Sequence, residues 1–183
     1  MLKAILQEKV NSLPRLTAAE VGALEKQFFT LMTNAHFVFK TFYQARQLAF
    51  YLSFMCPESS KAAVGLSELF INAIEHGNLN ITWEEKNSFK NEKEWLDEVE
   101  RRLGLPINEK KLVQLELIKH SNFIEFIIQD EGTGFNWKEY VKNKEINPDI
   151  KNGRGIILAR LMSFDELHYN DSGNQVTGII YRQ

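Results

Sequence analysis

Glu68, Asn72 and His76 recur every fourth residue, which stacks three polar side chains along one stripe of a helix. The other faces of that helix are apolar, through Leu66, Leu69, Phe70, Ala73 and Ile74. A solvated helix face has the same spacing, but Asn72 lies among Ile71, Ala73 and Ile74 rather than among Lys and Glu. A carboxamide oxygen at Asn72 suits Mg²⁺, a hard cation that takes oxygen ligands and completes its octahedron with phosphates and water. One turn earlier, the carboxylate of Glu68 suits a base that accepts the proton of an attacking hydroxyl or water.

Two glycine-bearing segments add to this chemistry. Asp130-Glu131-Gly132-Thr133-Gly134-Phe135 follows directly on an apolar alternating run, so its carboxylate is expected at a strand end opening into a tight turn. Fixed there, Asp130 can accept a hydrogen bond from the exocyclic amine of adenine, while Gly132 and Gly134 let the backbone come close to a ring. Asn152-Gly153-Arg154-Gly155 precedes a helical pattern, and free N–H groups at a helix start favour phosphate oxygens. Lys151 and Arg154 add positive charge beside Gly153 and Gly155. Neither a GxxxxGK[ST] loop nor a complete GxGxxG after a strand occurs.

Elements able to position these residues can be read along the chain. Thr17 and Glu20 have capping-box spacing, and Val21, Leu24, Phe28, Leu31 and Met32 continue at helical intervals. Residues 36–42 read as a strand and 44–55 as a helix stopped by Pro57. Ser59 or Ser60 can cap the next helix, which carries the Glu68 stripe, and Gly77 suits a left-handed position closing it. Residues 82–110 turn polar and carry an amphipathic helix through Trp95, Leu96, Val99 and Leu103. Hairpins are expected at 112–128 and 166–181, with a helix over 155–162 between them. The pattern predicts an α+β two-layer sandwich with helices on one face of the sheet. Residues 1–35 are expected to form an N-terminal helical extension, and 36–183 one domain with a helical excursion at 82–110.

The 183 residues are 44% apolar and 25% charged, enough for one ordinary core. A net charge of −2, with basic and acidic residues interspersed, argues against direct nucleic-acid binding. Cys56, alone and in an apolar run, reads as a buried thiol and excludes an internal disulfide. No apolar run reaches the ~20 residues of a membrane span, and the N-terminus lacks a signal-peptide core, so a cytoplasmic protein is expected. His36, His120 and His168 lack metal-ligand spacing, and no zinc site is expected. Phe28, Phe29, Phe37, Phe39 and Phe42 read chiefly as core.

Taken in order, E-x-x-x-N on a helix, D-x-G-x-G after a strand and G-x-G before a helix resemble the N, G1 and G2 boxes of the Bergerat, or histidine-kinase-like, ATPases. Ser67 through Asn78 is similar to the N box of the bacterial anti-sigma factor serine/threonine kinases, where a His-Gly pair follows the Asn. Over about residues 36–181, the resemblance implies a mixed, mostly antiparallel sheet with ATP and Mg²⁺ held between helix and sheet under a lid of roughly residues 135–151. It implies Glu68 as base, Asn72 as Mg²⁺ ligand, Asp130 as adenine reader, and Gly132, Gly134, Gly153 and Gly155 as pocket backbone. His76, Lys151 and Arg154 join the nucleotide-binding set, and for His76 a packing or N-box role is preferred to phosphorylation. The implied function is that of a kinase phosphorylating a small anti-anti-sigma regulator, with a sigma factor as a further protein partner and homodimerisation possible. A non-catalytic ATP-dependent switch that sequesters a partner is the alternative. The chain departs from many relatives where Asn174 and Gln175 follow Gly173 in place of a Thr, and its lid has mixed charge (Lys138, Glu139, Lys142, Lys144, Glu145).

Overall fold

The computed structural model describes residues 17–138, 156–157 and 159–182. Two compact units are present, Met1–Met32 and Thr33–Gln183. In the first, α1 (Ala18–Leu31) starts at a full capping box, with the Glu20 amide donating to Thr17 Oγ1 and the Thr17 amide donating to the Glu20 carboxylate at 2.7 Å. Phe28 and Phe29 of this helix meet edge to face, and Phe28 is exposed.

The second unit is built on five strands: β1 (Asn34–Phe39), β2 (Val113–Lys119), β3 (Phe123–Gln129), β4 (Glu166–Tyr169) and β5 (Gln175–Tyr181). Their order in the sheet is β1-β2-β3-β5-β4, and every described pairing is antiparallel, in keeping with the mostly antiparallel sheet expected. Both expected hairpins, β2–β3 and β4–β5, form. Strand periodicity puts Phe39, Val113, Leu115, Leu117, Ile124, Phe126 and Ile128 on one buried face, and the register holds them side by side. Helices α2 (Phe42–Ser53) and α3 (Ser59–Asn72) cover that face, with Phe70 of α3 against Phe39 at 5.0 Å between ring centroids. The opposite face is more open, as alternate residues such as Gln114 and Glu116 are exposed.

Strand β1 ends at Phe39, earlier than expected, because Thr41 and Gln44 form a capping box that starts α2 at Phe42. Neither Ser59 nor Ser60 caps α3; the preceding residue is Glu58, and its side chain makes no cap bond. Nor does Gly77 close this helix in the left-handed region. The helix continues as a π-helical segment, Ala73–Asn78, and positive φ appears only afterwards, at Asn80. The polar excursion holds two short helices, α4 (Trp83–Ser88) and α5 (Glu92–Leu103), because Thr82 and Asn91 each provide a separate N-cap. Of the helix expected over 155–162, the described part runs into a second π-helical segment, Ala159–Ser163. Ser163 packs so closely on Gly65 of α3 that a Cβ there would displace it, and its hydroxyl donates to the Lys61 carbonyl at 2.6 Å.

Candidate functional site

A cavity of about 290 Å³ lies where the end of α3 and its π-helical continuation pass the ends of β3, β4 and β5. Asn72 and His76 reach it from the helix, Asp130 and Gly134 from the turn after β3, and Tyr169 and Asn174 from the last hairpin. Leu69, Ala73, Ile128, Ile156 and Val176 supply apolar surface, so the cavity is greasy with a few convergent polar groups. The π segment decides which side chains face it. Its wider turns, marked by Leu79 N–H donating to Ile74 O at 2.9 Å, leave His76 and Gly77 on the cavity while Glu75 turns fully inward.

Asp130 is held from several directions. Its Oδ1 accepts from the Gly132 amide at 2.8 Å, and its own amide donates to Asn174 O at 3.0 Å. Gly77 presses against its carboxylate, and Gly132 against the Gly77 carbonyl, with no room for a Cβ at either glycine. Gly134 and Gly173 both have positive φ, and each occupies space that a Cβ would take from the other loop: Gly134 against Ser172, Gly173 against Phe135. The missing side chains therefore make room for polypeptide on polypeptide, which fixes the carboxylate's position. Burial pushes the Asp130 carboxyl up to about 6, against the Gly132 hydrogen bond and the nearby Lys111 ammonium. A partly buried acceptor with no cation in contact among the described residues suits a neutral N–H donor such as an exocyclic amine.

Where many relatives have a Thr, Asn174 packs against the Asp130 loop. Its Nδ2 lies 3.4 Å from Gly132 O, while its Oδ1 accepts from Ser172 Oγ at 2.7 Å and Asn170 Nδ2 at 2.9 Å. Behind it, Tyr169 meets Phe135 edge to face at 5.4 Å and stacks on Trp137 at 5.8 Å, closing the Asp130 end with aromatic surface.

Along the helix, Asn72 opens onto the cavity with no hydrogen bond to its carboxamide among the described residues. Glu68 sits one turn earlier, half-buried and just outside the cavity lining. Burial, with Glu75 adding, raises its carboxyl above the ordinary range, and Lys86 opposes the rise. Among the described residues no cluster of three or more His, Cys, Asp or Glu could hold a metal ion. Asn72 alone fits Mg²⁺ that takes its remaining ligands from phosphate and water.

His76 contributes packing and polarity. Its Nδ1 lies 2.5 Å from Ile81 O, and because a carbonyl only accepts, Nδ1 carries the proton. Burial lowers the imidazole's basicity, leaving Nε2 without a hydrogen bond among the described residues, 3.7 Å from Glu75 Oε2. The excursion meets the site here. Trp83 lies beside His76, its ring tilted, at 4.5 Å between centroids, while Lys86 and Trp95 both donate to Glu75, at 2.6 Å and 2.5 Å. These contacts join separate helices, and periodicity alone does not reveal them; the one available hint is an acidic residue, Glu75, on an otherwise apolar helix face.

The structure thus brings Asn72, His76, Asp130 and Gly134 around one cavity, with Gly132 bonded to Asp130 and Glu68 one turn from Asn72. Lys151, Gly153, Arg154, Gly155 and most of the expected lid lie outside the described residues. Among the described residues no helix is long and apolar enough to cross a membrane. Comparison with curated proteins finds no match. The histidine kinase-like ATPase domain matches residues 44–180, which contain all of these site residues and most of the chain, and the chain belongs to that ATP-binding family.

Proposed function

We propose that the chain is a Mg²⁺-ATP-dependent serine/threonine protein kinase of the bacterial anti-sigma type, which phosphorylates a small anti-anti-sigma regulator and binds a sigma factor. The observation carrying transfer, beyond binding, is Glu68: a half-buried carboxylate one turn from Asn72, with no hydrogen bond or ion pair among the described residues. In this reading Asp130 selects adenine, the apolar cavity holds the base, and Asn72 gives its oxygen to Mg²⁺, whose charge neutralises the phosphates. Glu68 accepts the proton of the acceptor hydroxyl as that oxygen bonds to the γ-phosphorus and the bond to the departing ADP breaks. His76, Lys151, Gly153, Arg154 and Gly155 complete the nucleotide contacts.

A second reading, a switch that binds ATP and sequesters a partner without transfer, is favoured by the position of Glu68 outside the cavity lining. Incubation with γ-labelled ATP, Mg²⁺ and candidate regulators separates the two. Label on a regulator serine or threonine, lost in Glu68→Gln while nucleotide affinity is kept, supports the kinase. Tight nucleotide binding with partner capture and no label supports the switch.

A further inference from the structure

The polar boxes lie outside the helix pair α4–α5, yet Thr82, Trp83 and Glu84 at its start line the same cavity as Asn72 and Asp130. The Trp83 indole lies 4.5 Å from the His76 ring at an interplanar angle of 32°, and Lys86 Nζ stands 5.7 Å from its centroid. Lys86 is itself fixed by the fully buried Glu75 and by the Trp95 ring, 4.9 Å away. Arg102 of α5 fastens the pair to the chain leaving the π segment, donating to Leu79 O at 3.1 Å and Asn80 O at 2.7 Å, and it also pairs with Glu85 of α4. An aromatic ring on a cavity wall, held by this many partners, has little freedom left to lose when a flat ligand packs on it.

We propose that Trp83 is a nucleoside-contacting residue and that α4–α5 is a built-in wall of the ATP site. The indole provides apolar contact for the nucleoside moiety, beside His76. Glu84 next to it presents a carboxylate, which repels phosphate and accepts from hydroxyls. The wall therefore favours a nucleotide whose base packs along Trp83, whose sugar hydroxyls face Glu84 and whose phosphates leave toward Asn72. This inference rests on the ATP-binding reading and adds a contact to it.

Calorimetric titration of the full chain with ADP and ATP, as wild type, Trp83→Ala and Trp83→Phe, tests it. Base–aromatic stacking of typical strength predicts that Trp83→Ala weakens both nucleotides about equally, by roughly 10-fold, and that Trp83→Phe restores most of the loss. Should Trp83→Ala fold poorly, emission decides: nucleotide must change the tryptophan fluorescence of the wild type, and that change must largely disappear in Trp83→Phe. Normal affinity in a folded Trp83→Ala, or an equal emission change in Trp83→Phe, overturns the wall. Wild type that binds neither nucleotide overturns the ATP reading itself, and the wall with it.

Discussion

Gly77 and Asp130, fifty-three positions apart in the chain, meet so closely that a Cβ on Gly77 would fall inside the van der Waals envelope of the Asp130 carboxylate. The helix bearing Asn72 and the strand end bearing Asp130 are thereby locked together. Gly77→Ala should move the carboxylate off the Gly132 amide. Overpacking at such a site costs about 1–3 kcal/mol. The expected result is a lower melting temperature with ATP affinity down by roughly 10-fold or more; unchanged calorimetric affinity would show that the contact does not set the site.

Asp130 carries a stability cost that follows from its burial. Its carboxyl is raised from 3.8 to about 6 in the folded chain, so between those pH values the folded state holds a proton that the unfolded state has released. Stability from this group is therefore present at low pH, is lost as pH rises through that window, and stays lost above about 6. The gap corresponds to roughly 3 kcal/mol. Asp130→Asn keeps an acceptor for the Gly132 amide and removes the ionisation. It should raise the denaturation midpoint at pH 7.5 yet abolish adenine selectivity, and wild-type ATP affinity should fall below about pH 6. A variant no more stable than wild type at pH 7.5 would contradict the burial cost, and equal binding of GTP by the wild type would remove the adenine assignment.

The parts of this site that were legible in the sequence are those whose chemistry is local. Asn72 and Glu68 share a stripe because α-helical geometry puts every fourth residue on one face, and Asp130 falls at a strand end because the alternation of Phe123–Gln129 stops there. The β2–β3 hairpin was equally visible, since its apolar residues alternate on both sides of a short polar turn. Gly77 was misread because its requirement is steric and comes from Asp130, not from its own φ. The π segment was hidden because one widened turn leaves the apolar period almost unchanged. Trp95 reads as an ordinary position of an amphipathic helix and Trp83 carries no periodic signal, for nothing local marks them as partners of Glu75 and His76.

Glu75 tests how the wall is held. Its carboxylate is fully buried and accepts from Lys86 and Trp95, so Glu75→Ala leaves an ammonium and an indole N–H without their acceptor. Lost buried charged hydrogen bonds of this kind cost about 2–4 kcal/mol, and partial exposure of Lys86 favours the low end. Glu75→Gln keeps an acceptor for Trp95 and should cost less than Glu75→Ala. Urea denaturation gives the order directly; equal midpoints for all three proteins would mean that the latch contributes nothing.

Glu68 and Lys86 link the wall to the proposed transfer step. Glu68 must be ionised to accept a proton, and burial raises its pKa, so the rate of transfer should fall as pH drops through that raised value. Lys86 lowers the same pKa through its charge. Lys86→Met therefore makes ionisation harder, and the acidic limb of the kcat profile should move to higher pH. The alkaline plateau should change little by this route, because Glu68 is already ionised there. Rates of regulator phosphorylation at saturating ATP across pH 5–9, compared between wild type and Lys86→Met, measure the displacement. An acidic limb that stays in place, or moves to lower pH, would take the role of base away from Glu68.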